Sequence, residues 1–147
     1  MEKAKKKKIV FVCTGTTCRS PMAQYVLRRV LKEQGCTSYT VTSCGLAACA
    51  GAPISQEAAI ALSELGIKSS SHKAKPWKSA YAKPDTLVIV MTGAHKARLP
   101  YDNVFSFDEL TGGGDVSDPF GGSLASYRKT RDQIVAMCHV LYRQVLS

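Results

Sequence analysis

The sequence predicts a single α/β domain built on a doubly wound parallel sheet flanked by helices, and three observations carry that expectation. A chain of 147 residues has the size of one domain, with a core large enough to stand without staples. Its hydrophobic fraction of 45% and charged fraction of 21% are those of a soluble globular protein, which sets aside disordered, collagenous and coiled-coil classes. Apolar strand-like runs alternate with segments of helical period, the pattern of parallel strands joined by crossover helices.

Taken in order, residues 9–12 form an unbroken apolar run ending at Cys13, as expected of a strand buried on both faces. Thr14, Gly15, Thr16, Thr17 and Cys18 then make a small polar loop. Ser20 stands directly before Pro21, an N-cap residue followed by a proline suited to a first helical turn. Met22, Ala23, Val26, Leu27, Val30 and Leu31 keep helical spacing, with Arg28, Arg29, Lys32 and Glu33 outward and Gly35 ending the run. Residues 39–43 read as a second strand, 45–53 as a small-residue loop, and about 55–65 as an alanine-rich helix closed by Gly66. Residues 87–91 read as a third strand, 93–99 as a short helix stopped by Pro100, and 104–107 as a fourth strand. Glycines at 112–114 and 121–122 bracket Asp118-Pro119-Phe120 in a flexible loop. Leu124, Tyr127, Ile134, Cys138, Leu141 and Val145 trace one face of a long last helix. Ligands of such a sheet bind beyond the carboxyl ends of its strands, and Cys13 sits at one of those ends.

The net charge of +9 raises nucleic acid or an anionic substrate as partners. Much of the excess is local. Lys3, Lys5, Lys6, Lys7 and Lys8 against Glu2 give residues 1–8 the character of a basic, disordered arm, with the folded domain over 9–147. No apolar run reaches the roughly 20 residues of a membrane helix, and the arm lacks the apolar stretch of a secretory signal. Six cysteines without such a signal point to a reducing, cytoplasmic setting and to thiol chemistry rather than disulfides. No zinc spacing occurs, so no metal or cofactor is expected. Cys36, Cys44, Cys49 and Cys138 read as core.

The segment from Cys13 to Ser20, between a buried strand and a helix start, suits an oxyanion. Successive backbone amides of such a turn form a concave nest, and the helix dipole adds positive potential. Arg19 supplies a planar fork for two phosphate oxygens. The same field stabilises a thiolate at Cys13 and makes it a nucleophile. Cys-x5-Arg is weak as a bare pattern; the preceding strand, the internal glycine and the Ser-Pro helix start give it force. Phosphoryl transfer to sulfur also needs an acid for the leaving group and a base for the hydrolytic water, and one carboxyl group can serve both steps. Asp118 leads on its glycine-flanked loop, with Phe120 available to stack on a substrate; Asp102, Asp108 and Asp115 remain open as surface turn residues.

At this point Val12-Cys13-Thr14-Gly15-Thr16-Thr17-Cys18-Arg19-Ser20-Pro21-Met22-Ala23 resembles the signature of low-molecular-weight protein tyrosine phosphatases, and Asp118-Pro119-Phe120 resembles their general-acid motif. The resemblance runs from Ile9 onward and implies a central four-stranded parallel sheet, no metal and a phosphocysteine intermediate. It makes Cys13 the nucleophile, Arg19 the phosphate clamp, Ser20 a hydroxyl supporting the thiolate and Asp118 the acid and then the base. Ser43 and His72 fall where the family has a loop-supporting serine and histidine. Thr17, where tyrosine-specific members carry a branched aliphatic residue, resembles the protein-arginine-phosphatase branch, as do Asp118-Pro119-Phe120-Gly121-Gly122 and Tyr127, Thr130, Arg131 and Asp132. A hydroxyl beside the reacting phosphorus suits a guanidinium leaving group better than an aryl ether. The chain departs from the family at Thr16, where asparagine is usual, and over 47–51, which lacks a pocket aromatic.

The expected function is thus a cytoplasmic, monomeric phosphatase that takes phosphoarginine from proteins, with Thr17 and Phe120 setting specificity. A tyrosine phosphatase shares every catalytic residue and is the nearest alternative. An arsenate reductase of this fold relays electrons through two further cysteines about 7 residues apart, and none lies between Cys49 and Cys138. A noncatalytic phosphate or nucleic-acid module rests mainly on the basic arm. Cys18, close to Cys13, is expected to trap an oxidised Cys13 as a disulfide.

Overall fold

The computed structural model describes residues 7–147. Four parallel strands, β1 (Lys7–Cys13), β2 (Tyr39–Gly45), β3 (Thr86–Val90) and β4 (Val104–Ser106), form one sheet in the order β2-β1-β3-β4. The chain steps outward from β1 to β2 and returns to the other side of β1 for β3, so the order reverses at β1. Ligand crevices of open α/β sheets form at the carboxyl end of such a reversal, and β1 ends there in Cys13.

Strand β1 starts two residues before the predicted 9–12 run. Lys7 and Lys8 pair with Tyr39 and Thr40, and Lys8 also with Thr86, which satisfies their backbone while the side chains stay in water. They belong to the sheet rather than to an arm; the rest of the predicted arm lies outside the described residues.

Alternation along the strands divides the core between two faces. Ile9, Phe11 and Cys13, with Ile89 and Met91, face the larger core, closed by α1 (Arg19–Glu33), α2 (Gln56–Ser63) and α5 (Leu124–Leu141). Val10, Val12, Val88, Val90 and Val104 face the smaller core, which Leu99, Leu46, Trp77 and Tyr81 cover. Helix α3 (Gly93–Ala97) follows β3. A short α4 (Phe107–Thr111), absent from the sequence reading, replaces the last residue of the predicted fourth strand. Ser106 and Glu109 close a reciprocal capping box there, and Gly112 ends the helix at φ 73°.

Two predicted helix details shift. Helix α1 begins at Arg19, so Ser20 lies inside its first turn and Cys18 takes the N-cap position without a side-chain cap bond. After α5 the chain widens into a π turn over Tyr142–Leu146, which moves the inward position from Val145, exposed, to Leu146, buried. Among the described residues, no helix is long and apolar enough to cross a membrane.

Candidate active site

The loop after β1 is held from outside by its carbonyl groups. Leu46 N donates to Cys13 O, Ala47 N to Thr14 O and Ser55 N to Thr17 O, at 2.9, 2.9 and 2.8 Å. His72 Nε2 donates to Thr16 O at 2.9 Å. With the carbonyls drawn outward, the amides turn inward, and among the described residues nothing accepts from the amides of Thr14, Gly15, Thr16, Thr17 or Cys18. Amides without a protein acceptor, wrapped around a helix start, make an anion nest.

The loop reaches this shape through one unusual residue. Thr16 is the only non-glycine residue with positive φ among those described, at 58°, and it is fully buried. A Cβ on Gly45 would run into the Thr16 side chain and Thr14 O, so the close approach of β2 requires glycine there.

Cys13 Sγ lies 3.0 Å from Ser20 Oγ. Ser20, freed from capping, can donate to the sulfur and so favour a thiolate. Arg19 is buried; its Nη1 donates to Val116 O at 3.1 Å and its Nη2 lies 3.6 Å from Asp118 Oδ2. Asp118 comes from the loop before α5, its carboxylate half-exposed and accepting from Phe120 N at 3.1 Å. Phe120 is 74% exposed at the rim. Together Cys13, Thr14, Gly15, Thr17, Cys18, Arg19, Asp118 and Phe120 line a cavity of about 200 Å³. Thr16 and Ser20 lie behind this lining. The 47–51 segment supplies none of these walls.

Around the loop, Cys18 Sγ lies 3.4 Å from both Ser55 Oγ and Tyr127 Oη. Burial and the contact with Cys18 push the Tyr127 phenol up to about 12, so it stays protonated. Ser43 donates to Gln24, both buried, and acts on α1 rather than on the loop directly. Burial lowers His72, outweighing its bond to Thr16, and keeps the ring neutral. Burial raises the thiols of Cys44, to about 12, and Cys138. Cys49, expected in the core, is exposed on its loop, and Cys36 is half-buried. The other three acids stand outside the cavity lining: Asp115 accepts from Gly93 N at 3.1 Å, Asp108 from Gly114 N at 2.8 Å, and Asp102 is exposed.

Sequence reading missed His95. Its Nε2 lies 3.1 Å from Thr14 Oγ1 across 81 positions of sequence. The short helix that carries it was expected at 93–99, but no local signal could reveal a partner so distant.

A thiol at a strand end, an amide nest, a buried arginine and a facing carboxylate have the makings of a thiol phosphatase. Residues 8–147 match the description low molecular weight phosphotyrosine protein phosphatase. The chain belongs to that family. Within it, the chain is 35% identical over 145 residues to the protein-arginine-phosphatase of Bacillus subtilis, covering 93% of this chain and 95% of that one. It is also 35% identical over 134 residues to the low molecular weight protein-tyrosine-phosphatase PtpB of Staphylococcus haemolyticus, covering 87% and 92%. A cysteine-to-serine mutant of the YwlE arginine phosphatase, solved with a phosphorylated active-site serine, superposes with a TM-score of 0.88 at 35% identity, covering 94% and 95%. The four-stranded parallel sheet is that of the family.

Proposed function

We propose that this chain is a cysteine-dependent phosphatase that hydrolyses phosphoarginine on proteins in the cytoplasm. The observation that carries the reading is the single cavity lined by Cys13, Thr17, Arg19, Asp118 and Phe120. The Cys13 thiolate attacks phosphorus while Arg19 and the loop amides hold the phosphoryl oxygens. As the P–N bond breaks, Asp118 gives its proton to the departing guanidine nitrogen. Water then attacks the phosphocysteine, Asp118 takes its proton, and phosphate leaves as the S–P bond opens and the thiolate returns. The hydroxyl of Thr17 beside the phosphorus and the exposed ring of Phe120 support a planar, polar leaving group. Similarity to the Bacillus subtilis arginine phosphatase supports the same substrate, and six unpaired thiols suit a reducing compartment.

Turnover of phosphoarginine and phosphotyrosine peptides tests the reading. The parent should prefer phosphoarginine, Thr17→Ile should shift the ratio of kcat/KM toward phosphotyrosine, and Cys13→Ser should abolish both activities. The similarity to the staphylococcal PtpB favours phosphotyrosine as the second reading, which a parent preference for that substrate would establish. Cys18 serves in this reading as the thiol that condenses with a peroxide-formed Cys13 sulfenic acid, expelling water and leaving a reducible disulfide. Cys18→Ala should then recover less activity with dithiothreitol after peroxide than the parent does.

A further inference from the structure

We propose that His95 is a positioning residue that, through Thr14, presents a hydroxyl donor to the phosphoryl group in the Cys13 cavity. The inference rests on that cavity being the phosphate site and extends it to a residue outside the lining. One chain of hydrogen bonds carries it, running from Thr92 through the His95 ring to Thr14. Thr92 caps α3: its Oγ1 accepts from His95 N at 3.1 Å and lies 3.0 Å from His95 Nδ1. A hydroxyl has one proton to give, and among the described residues Nδ1 is the acceptor that Thr92 reaches. The proposed arrangement gives that proton its protein acceptor: Thr92 donates to Nδ1, and the ring proton then sits on Nε2.

Nε2 lies 3.1 Å from Thr14 Oγ1, so the ring donates and the threonine accepts. The proton of Thr14 is then turned away from the ring. Thr14 is exposed and lines the cavity beside Cys13, Gly15 and Arg19, where an anion is the acceptor for it. The opposite tautomer would make Thr14 donate to Nε2 and leave only lone pairs for the phosphoryl oxygens. His95 itself is buried. Its burial, Arg19 and Arg98 favour the neutral ring, while Asp115 and Asp118 oppose them. The device resembles the way a second partner fixes the tautomer of a metal-binding or catalytic histidine, here applied to a hydroxyl.

The test is the affinity of the full chain for inorganic phosphate, measured by calorimetry and as competitive inhibition of phosphoarginine peptide hydrolysis. Thr14→Val should weaken phosphate binding about three- to tenfold, the size of one hydrogen bond, and Thr14→Ser should retain it. His95→Phe should lose a similar amount, and His95→Gln, whose amide nitrogen reaches about as far as Nε2, should recover most of it. The Thr14→Val, His95→Phe double variant should be no weaker than Thr14→Val alone. Imidazole nitrogen NMR of the parent at neutral pH should show the proton on Nε2, a readout that does not depend on any variant folding. Phosphate affinity unchanged in Thr14→Val, additive losses in the double variant, or a proton on Nδ1 would each overturn the proposal. A parent that binds phosphate but cleaves neither phosphoarginine nor phosphotyrosine peptides would overturn the catalytic reading and leave this one standing; a parent that binds none would overturn both.

Discussion

At the scale of single residues, the site depends on a threonine in a conformation it disfavours. A β-branched residue in the left-handed region costs roughly 1–2 kcal/mol, which asparagine tolerates more readily. Thr16 holds φ 58° because His72 fixes its carbonyl and Gly45 leaves room for its side chain. Thr16→Asn should therefore stabilise the fold by about 1 kcal/mol and raise Tm by about 2–4 °C in thermal melts; a lower Tm would show that packing of the threonine methyl outweighs the backbone gain. Asp118→Asn should lower kcat about 100-fold or more with phosphate affinity largely kept, read from steady-state rates and phosphate inhibition. Cys13, Arg19 and Ser20 were legible in the sequence because one strand, one loop and one helix start hold them within eight positions. Of the two readings of Ser20, the cap suggested by Ser-Pro does not form, while the structure turns its hydroxyl to Cys13 as the family resemblance implied. His95 was invisible because its meaning lies in Thr14, far away in sequence.

At the scale of elements, every strand and the helices α1, α2, α3 and α5 were legible from apolar period and end signals. Helix α4 was not, because five residues are too few to show a helical period, although Ser106-x-x-Glu109 was the capping-box signal for its start. Ser106→Ala should cost about 1 kcal/mol, since it removes the acceptor for Glu109 N, and urea denaturation would register it as a lower midpoint. The far end of the last helix was misread for a different reason. Sequence period assumes a constant turn, and the π turn at Tyr142–Leu146 breaks that assumption by one residue, so Leu146 takes the buried place expected for Val145. The acid loop joins these elements to the site: Val116 N donates to Met91 O at the end of β3 and Val116 O accepts from Arg19. Asp118 is thus placed from the same short stretch that steadies the arginine.

At the scale of the whole molecule, two buried histidines link stability to pH. His72 and His95 contact Thr16 and Thr14 of the loop after β1, and each is lowered from the ordinary value of 6.5 chiefly by burial. Unfolding exposes them and lets them bind protons that the folded chain refuses. Below about pH 6.5 the unfolded state therefore holds more protons, so stability falls with acidification until the folded values are passed. Thermal melts at pH 7.5 and 5.5 should show a loss that His72→Phe and His95→Phe each reduce; an equal loss in both variants would assign the pH dependence elsewhere. The sheet adds a constraint of another kind. Its strands are all parallel, so none pairs with a neighbour through a tight hairpin, and long connections must close before the sheet gains its contacts. Cys13, the proposed nucleophile, belongs to the first strand, and Asp118 follows roughly a hundred residues later. During synthesis the thiol leaves the ribosome well before its acid, and α5, whose Tyr127 meets Cys18, comes last of all. On the proposed mechanism, a nascent chain stopped short of the acid loop carries the thiol, the anion loop and Arg19 but lacks Asp118, so premature termination should yield fragments without turnover.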